Sequence, residues 1–446
     1  MNEAPAKRLA SESKSVGGRW LAVIVLVGLL LRGALLVHAL RAGRLDDHDK
    51  YLPLARGLAH GHGFALDGRP TAYRPPLYPI MLAPLTAVLG ERVDDGVAAL
   101  HLTLGAGTIV LTWCVARRWG LGSGLSLVAA AVVAGDPVLV SQGRAVMTET
   151  LAAFLISAAL AALTLPKKWG AVMGGIAFGL GALCRPSLLP AAAVTALAAL
   201  WLGPGGRRDR LAWSALLVVA TLATLSPWVC RNAAVFGVPI GTTTHGGYTL
   251  YLANNPVYYD EVVNGPPGAV WTGPNQNDWW DATSRSVRGL SEPQADRAQQ
   301  SAAFDVIASR PRDFAWASVA RLGRFWGLAP AAVVYPRWLR ALTMVWTVPL
   351  WVALVAGLTS ATARRWPQAA APATLFALTL VHTFYWTDLR MRAPLVPAVA
   401  LLAAAGLERF WKGGNVFPPQ NQGLVMESTR PSEPPRGPGP ARPIGG

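Results

Sequence analysis

Residues 44–51, RLDDHDKY, place three carboxylates, a histidine and a tyrosine in eight consecutive positions. An ionised aspartate can accept a proton from a hydroxyl or an amine, so the cluster is a candidate general base. Aspartate is also favoured at a helix N-cap, and Asp46 or Asp47 could cap the helical-looking stretch DKYLPLARGL. The cluster by itself leaves both functions open.

A candidate phosphate-binding residue follows in the same loop. Arg74 stands before Pro75 and Pro76 in TAYRPPLYP, and a residue before proline is held in an extended backbone. A guanidinium binds phosphate oxygens in a fixed, bidentate geometry. A carboxylate base and a phosphate-binding cation in one loop suit group-transfer chemistry.

The elements that must position these residues are membrane helices. The chain has 446 residues, of which 52% are hydrophobic and 14% charged, whereas about a quarter of the residues in soluble proteins are charged. Apolar segments of about 20 residues, enough to cross a bilayer, recur along it. The sequence predicts an all-α polytopic membrane protein. Its predicted transmembrane helices, about ten in number, cover roughly residues 20–40, 94–116, 121–138, 147–165, 169–185, 187–203, 211–229, 337–359, 367–386 and 392–409.

Short loops rich in Lys and Arg predict the orientation of these helices. Residues 1–19 are polar and basic and are placed in the cytoplasm, and the transmembrane domain covers residues 20–411. A Pro- and Gly-rich tail, residues 412–446, is predicted to be disordered and cytoplasmic. The first apolar run has no small-residue cleavage motif after it, which predicts an uncleaved helix. The cytoplasmic side then receives the short basic loops that begin near residues 117, 166, 203, 361 and 408.

This topology leaves two large segments on the extracytoplasmic side. The first segment is residues 41–93 and contains the acidic cluster and Arg74. The second segment is residues 230–336. It contains a loop rich in Trp, Tyr, Asn, Pro and Gly, followed by a predicted amphipathic helix at about 294–326. Aromatic residues at this density suit the lipid headgroup level and also sugar stacking.

Charge and cysteine usage exclude other classes of protein. The formal net charge is +16, but the basic residues lie in short clusters between apolar spans, which favours a membrane protein over a nucleic-acid-binding one. The three cysteines have neither disulfide-framework nor zinc-ligand spacing. We therefore expect no nucleic-acid partner.

The first segment resembles the first extracytoplasmic loop of the GT-C superfamily of polyprenyl-phosphate-dependent glycosyltransferases. Within this superfamily, the chain resembles a bacterial branch that is glycosyltransferase family 39-like. This branch is similar to protein O-mannosyltransferases and to the lipid A aminoarabinose transferase. Where the family has D-E-x-x-Y, this chain has residues 47–51, DHDKY, and where it has K-P-P-L, the chain has residues 74–77, RPPL. His48 thus replaces the family's Glu, and Arg74 replaces its Lys.

Three further stretches extend the resemblance over most of the chain. GRAVMTET at 143–150 resembles the family's Arg-to-acid stretch, which would place Arg144 and Glu149 beside the first segment. Residues 226–256 resemble the stretch common after the seventh helix, and DLRMRAPLVP at 388–397 resembles a closing R-x-R-x-P-L-x-P.

The resemblance implies a GT-C-like fold and a definite reaction. A sugar would be transferred, with inversion, from a polyprenyl-phosphate-linked donor to a lipid, glycan or protein acceptor on the extracytoplasmic face of a bacterial inner (plasma) membrane. Asp47 is the predicted base, with Asp46 and Asp49 as alternatives, because a single displacement needs one base on the acceptor. The cations predicted to neutralise the departing lipid phosphate are Arg74, Arg390 and Arg392.

Other residues receive secondary assignments. Glu149, Arg144 and His48 are predicted to orient the acceptor or a metal, although Glu149 could instead pair with Arg144. No cofactor is required, but a divalent cation, Mg²⁺ or Mn²⁺, would suit the carboxylates. A metal site involving His48, His60, His62 and His245 is the weaker interpretation, since HGHG reads as a glycine-shaped turn. Predicted sugar contacts are Tyr51, Tyr73, Tyr248 and Asn254.

Two other functions stay open at this point. A transporter or flippase of envelope lipids or glycans would need charges and broken helices at the membrane midplane, whereas the notable charges here cluster at the outer helix ends. A non-catalytic envelope-assembly protein would use the second segment as a binding surface.

Overall fold

The computed structural model describes residues 4–166, 168–266, 269–271, 273–332 and 334–413. Nearly all of the regular structure in these ranges is helical; one short antiparallel hairpin pairs β1 (Ala65–Leu66) with β2 (Arg69–Pro70). Each of the ten predicted spans overlaps a helix, so the predicted all-α polytopic fold is confirmed. The predicted tail at 412–446 lies almost wholly outside the described residues.

The helices follow one another along the chain, separated by turns and loops of varied length. They are α1 (Ala4–Arg41), α2 (Tyr51–Ala59), α3 (Leu77–Leu89), α4 (Val93–Arg118), α5 (Ser123–Gly135), α6 (Pro137–Gln142), α7 (Glu149–Ala162), α8 (Trp169–Cys184), α9 (Leu189–Leu202), α10 (Arg207–Phe236), α11 (Gly246–Ala253), α12 (Pro256–Tyr258), α13 (Pro274–Ser286), α14 (Glu292–Ser309), α15 (Pro311–Phe325), α16 (Arg337–Leu358), α17 (Ala370–Phe384) and α18 (Val396–Gly413). Short 3-10 turns cover Gly90–Arg92, Pro186–Leu188, Thr362–Arg364 and Leu389–Leu395, and a π turn covers Tyr259–Val263.

Five helical stretches in the described ranges are long and apolar enough to cross a membrane: Gly17–Arg41, Leu77–Arg118, Arg207–Phe236, Arg337–Leu358 and Leu389–Glu408. Five apolar helices are shorter: Ser123–Gly135, Glu149–Ala162, Trp169–Cys184, Pro186–Leu202 and Ala370–Phe384. The chain is therefore a multi-pass membrane protein. The ends of α1 and α5 that carry Gly17 and Ser123 meet, as a shared side of the membrane requires.

Helix α18 forms the centre of the bundle and packs closely against α16. A Cβ on Gly357 would lie 1.9 Å from the Leu402 carbonyl oxygen, and one on Gly406 would lie 2.1 Å from the Ala353 oxygen. Small residues let membrane helices approach until their backbones touch, and this contact replaces the hydrophobic driving force that lipid removes.

An arginine inside the bundle fastens α1 to the end of α5. Arg32 is 4% exposed and donates hydrogen bonds to the carbonyls of Gly28, Val133 and Ala134. Its donors are thereby used by backbone groups, which makes it a structural contact between these two helices.

The first segment contains one helix that the sequence predicts and one that it does not. The helical-looking stretch after the acidic cluster forms α2, which buries Tyr51, Leu52, Leu54 and Ala55. The proline-rich run after Arg74 lies outside the ten predicted spans, yet it forms α3. Pro79 stands in the first turn of α3, where a helix does not need its missing N–H.

The second segment folds as several helices around an aromatic cluster of its own. Its buried members are Tyr258, Tyr259, Val262, Trp271, Trp279 and Ala317. The single helix predicted at 294–326 is wrong in one respect: it is divided into α14 and α15. Pro311 begins α15, and Arg310 before it leaves the helical region with φ −129° and ψ 57°, because a residue before proline avoids the α conformation.

The contact between α16 and α18 predicts a clear difference between two glycines. Gly357→Ala should destabilise the protein by roughly 1–3 kcal/mol, because the added methyl group overlaps the Leu402 carbonyl. Gly33→Ala is the matched control, since a Cβ there meets nothing within 4 Å. Thermal unfolding of the two purified variants in detergent measures the effect, and equal melting temperatures would contradict the close approach.

Candidate functional site

Backbone pairing fixes the acidic stretch beside the start of α7. Asp46 forms a parallel bridge with Ala145, and the Val146 N–H donates to the Asp46 carbonyl at 2.8 Å. Glu149, the first residue of α7, follows shortly after. The neighbourhood of the 143–150 stretch and the first segment, expected from the resemblance, is present in the structure.

Asp47 is the residue that holds the first turn of α2. Its Oδ1 accepts from the Tyr51 N–H and its Oδ2 from the Leu52 N–H, both at 2.8 Å. Burial raises the pKa of Asp47 above its ordinary value, and the two N–H groups act against this rise. Asp46 does not share this function: it is solvent-exposed, and its Oδ2 lies 2.7 Å from His48 Nε2.

Asp49 joins the two motifs of the first segment. Its Oδ1 lies 2.8 Å from Arg74 Nη2, and the two side chains are only 23% and 20% exposed. Asp47 feels the charges of both residues. The carboxylates and the guanidinium that the sequence separates by a helix and a hairpin therefore form one group.

The strip that carries Arg74, residues 71–74, is held by hydrogen bonds from outside the first segment. The Ala72 N–H donates to Glu292 Oε2 at 2.9 Å, and the Thr244 N–H donates to the Ala72 carbonyl at 3.0 Å. Arg231 Nη1 donates to the Thr71 carbonyl at 2.8 Å. These contacts all come from the second segment, so the position of Arg74 depends on it.

His245 of the second segment contacts Arg74 itself. Arg74 Nη1 donates to His245 Nε2 at 3.3 Å, which requires a neutral imidazole. Burial and the Arg74 charge lower the pKa of His245 to about 3. The ring lies 4.3 Å from that of Tyr73 and 5.2 Å from that of Tyr248, centroid to centroid. Two of the predicted sugar contacts, Tyr73 and Tyr248, thus flank Arg74 through this histidine.

Glu149 pairs with an arginine that the sequence analysis does not single out. It is fully buried, and its Oε1 lies 2.9 Å from Arg185 Nη1, at the end of α8. Neither carboxylate oxygen has a well-aligned hydrogen bond among the described residues. Arg144, the expected partner, is exposed. The only sequence signal for Arg185 is its place beside Pro186, directly after an apolar span.

The two arginines of the 388–397 stretch separate. Arg390 lies within electrostatic range of Glu149, Arg185 and Asp49, and its Nε is 3.1 Å from Asp388 Oδ2. Arg392 is 4% exposed and donates to the carbonyls of Phe325 and Gly327. The prediction that Arg392 binds phosphate is therefore corrected, because backbone carbonyls already accept from its N–H groups. Five charged side chains lie close together and are called the charge cluster: Asp49, Arg74, Glu149, Arg185 and Arg390.

Other predicted site residues need correction. Asn254 is fully buried; it donates to the Leu250 and Phe384 carbonyls and accepts from Tyr259, so it is unavailable to a sugar. Tyr51 is 3% exposed and packs edge-on against Tyr78, which removes most of its ring from any ligand. His48 pairs with Asp46 and does not join the charge cluster.

The described residues do not present a metal site. No group of three or more His, Cys, Asp or Glu side chains in the described ranges could hold an ion. Asp49 and Glu149 each face a guanidinium, which uses the negative charge that a divalent cation would need. His60 and His62 stack at 6.2 Å on a turn in which Gly61 and Gly63 have φ of 77° and 73°. The donor set thus does not fit Mg²⁺ or Mn²⁺, and no step below uses a metal.

No protein-family model and no curated protein matches the chain. Among solved structures, it is similar to the oligosaccharyltransferase AglB from Archaeoglobus fulgidus in complex with an inhibitory peptide and a dolichol-phosphate. The TM-score is 0.54 at 14% identity, over 90% of this chain and 51% of that chain. A structure of the Archaeoglobus fulgidus oligosaccharyltransferase tethered with an acceptor peptide gives 0.50 at 14% identity, over 88% and 50%. ArnT from Cupriavidus metallidurans bound to undecaprenyl phosphate gives 0.41 at 16% identity, over 88% and 79%.

The likeness to AglB is a likeness of fold. It confirms the GT-C-like fold that the sequence motifs imply. The chain spans about half the length of the oligosaccharyltransferase that it matches.

The buried pair predicts a characteristic pattern of stability. Arg185→Met should destabilise the protein by roughly 3–5 kcal/mol, because it leaves the Glu149 carboxylate buried without a counter-charge. The double variant Glu149→Gln with Arg185→Met should recover much of this loss. Thermal unfolding of both variants gives the comparison. A double variant no more stable than Arg185→Met would show that the ion pair is not the cause.

Proposed function

We propose that the protein is a membrane glycosyltransferase that transfers a sugar from a polyprenyl-phosphate-linked donor, with inversion, to an acceptor on the extracytoplasmic face. The observation that carries this proposal is the Asp49–Arg74 ion pair, which brings a carboxylate-rich turn and a phosphate-binding cation together in a fold shared with AglB. The dolichol-phosphate bound to AglB supports a polyprenyl-phosphate donor. The orientation with both termini in the cytoplasm of a bacterial inner membrane belongs to the same proposal.

Asp47 is the proposed base. The acceptor O–H or N–H gives its proton to the Asp47 carboxylate, while the acceptor atom bonds to the anomeric carbon and the bond from that carbon to the lipid phosphate breaks. The raised pKa favours proton acceptance by this carboxylate. The two N–H groups of α2 hold the carboxylate in place without using all of its lone pairs.

The leaving group is a polyprenyl phosphate, which takes the electron pair of the broken bond and gains negative charge. Arg74 and Arg390 are the proposed cations for it, since both are partly buried and already positioned by neighbouring groups. Asp49 and His245 keep the Arg74 guanidinium in one orientation. Tyr73 and Tyr248, beside Arg74, are the proposed contacts for the donor sugar.

A largely apolar cavity that is lined by Pro76 and Arg231 supports a lipid-linked donor. It has a volume of about 630 Å³ and includes Pro76, two residues beyond Arg74. Phe64, Ile80, Trp228 and Val235 are among its lining residues. An isoprenoid chain fits such a surface because both are apolar, and the phosphate would then lie near Arg74.

The second candidate, a transporter, is favoured by one observation, the burial of Arg32 inside the bundle. That arginine donates to three backbone carbonyls, which fits a structural contact between α1 and α5 better than a substrate path. Uptake into vesicles that contain no lipid-linked sugar tests this candidate directly.

Asp47→Asn should abolish sugar transfer. Loss of a general base lowers the rate by about 10²- to 10⁴-fold, while the amide can still accept at one position of the α2 cap. The measurement is mass spectrometry of lipid-linked sugars and envelope glycans in cells with and without the protein; one polyprenyl-phosphate sugar should accumulate in the variant. Asp46→Asn is the matched control, since Asp46 is exposed. Normal transfer by the Asp47 variant would instead point to Asp49, or to Asp46 if the Asp46 variant loses transfer.

Arg74→Lys should lower transfer by raising KM for the donor, because an ammonium cannot keep the contacts with Asp49 and His245 while binding phosphate. A loss of about 10-fold or more is expected for one charge-assisted contact. Arg92→Lys, on an exposed surface, is the control. Transfer at several donor concentrations separates KM from kcat, and an unchanged KM would remove Arg74 from the donor site.

A further inference from the structure

Asp47 also lines a second space that the charge cluster does not share. This cavity has a volume of about 200 Å³ and lies between the turn at residues 44–47, the first turns of α2 and the start of α4. Its polar lining residues are Arg44, Asp47, Arg56, Glu91 and Asp94. The proposed base therefore borders both the charge cluster and this cavity.

Two polar groups around the cavity keep unused hydrogen-bonding capacity: the Asp94 carboxylate, which also interacts with the Leu45 backbone N–H, and the Arg56 guanidinium. Asp94 is 9% exposed, and its Oδ1 has no hydrogen bond among the described residues. Among the described residues, the Arg56 guanidinium also has no hydrogen bond and no ion pair, although its charge acts on Asp94. Arg44, in contrast, is used: its Nη2 lies 3.0 Å from Glu91 Oε2. A buried acceptor without a donor raises the free energy of the folded protein. A ligand that donates a hydrogen bond to Asp94 and accepts one from Arg56 would remove this penalty.

The charge and shape of the cavity indicate which class of ligand it can bind. Three carboxylates and two guanidiniums line it, a balance that disfavours a phosphate or another anion. Its other wall is apolar, formed by Leu52, Pro53 and Val93 among others. A sugar ring combines an apolar C–H face with neighbouring hydroxyls that both donate and accept hydrogen bonds. A neutral carbohydrate therefore matches the lining better than a peptide ammonium or a lipid phosphate.

We propose that this cavity is the acceptor subsite and that it binds a terminal sugar of a carbohydrate acceptor. One hydroxyl faces Asp47, and its neighbours bond to Asp94 and Arg56. The inference rests on the proposed function: the hydroxyl proton passes to Asp47, its oxygen bonds to the anomeric carbon of the donor sugar, and the bond to the lipid phosphate breaks. Asp94 and Arg56 are positioning residues, since neither accepts the proton.

The test uses the purified full-length protein in lipid nanodiscs and a panel of methyl glycosides of neutral hexoses and pentoses. Binding is followed by saturation-transfer NMR. Asp94→Asn and Arg56→Gln should each weaken binding by about 10-fold or more, because each replaces a charged hydrogen-bonding partner of the sugar. Asp95→Asn and Arg92→Gln are matched controls: they make the same changes in an exposed ion pair at the same end of α4. Both controls should bind as the unchanged protein does.

The outcomes separate this inference from the proposed function. Absence of glycoside binding by the unchanged protein, or equal binding by all variants, overturns the subsite. Binding of phosphoethanolamine, weakened by the same two substitutions, with no binding of glycosides also overturns it and identifies a lipid-headgroup site. Glycoside binding with the expected variant pattern supports the carbohydrate site, and if such a protein transfers no sugar, it is the proposed function that fails. Transfer that persists without glycoside binding leaves the proposed function standing and removes the subsite.

Discussion

The strip of residues 71–74 belongs to no helix or strand, and the buried backbone of Ala72 finds its partners outside the first segment. Ala72 is fully buried, and both its N–H and its carbonyl are bonded to the second segment, through Glu292 and Thr244. Unpaired backbone groups at this depth would cost free energy comparable to a lost hydrogen bond each. The strip is therefore stable only when the second segment is folded against it, and Arg74, at its end, takes its position from the same contacts. The ion pair with Asp49 and the contact with His245 both depend on this arrangement.

The charged groups around Arg74 hold one another in position more than they stabilise the folded protein. Moving paired charges out of water costs about as much as their attraction returns, so the Glu149–Arg185 and Asp49–Arg74 pairs are weak arguments for a stable fold. They do fix where cations and carboxylates stand before any substrate arrives. A transfer reaction that releases a phosphate gains most from cations that need no reorganisation as the charge develops. This property links the electrostatics of the charge cluster to the proposed chemistry.

Much of the architecture follows from local sequence. Every predicted span overlaps a helix, because an apolar run of that length has few other ways to satisfy its backbone in lipid. The exceptions have local causes as well. Helix α3 is not predicted because prolines argue against a helix; Pro79 is tolerated in its first turn, and the helix continues through Pro84 as well. The division between α14 and α15 follows from Pro311, whose effect on Arg310 outweighs a continuous amphipathic pattern.

The sequence by itself determined the class of fold and the presence of an acidic turn near a basic strip, but it left the function of Asp47 open. The structure shows that its carboxylate holds the first turn of α2 and also borders the charge cluster. Only the tertiary structure decided which residues pair with the predicted site residues. Glu149 meets Arg185 and not Arg144, because α8 runs back along α7 and brings its end to the start of that helix. Likewise, packing buries Asn254 among backbone carbonyls that lie far away in sequence. Periodicity and composition report which residues face a core or a membrane, but pairing between distant residues depends on how the helices pack, which no local pattern contains.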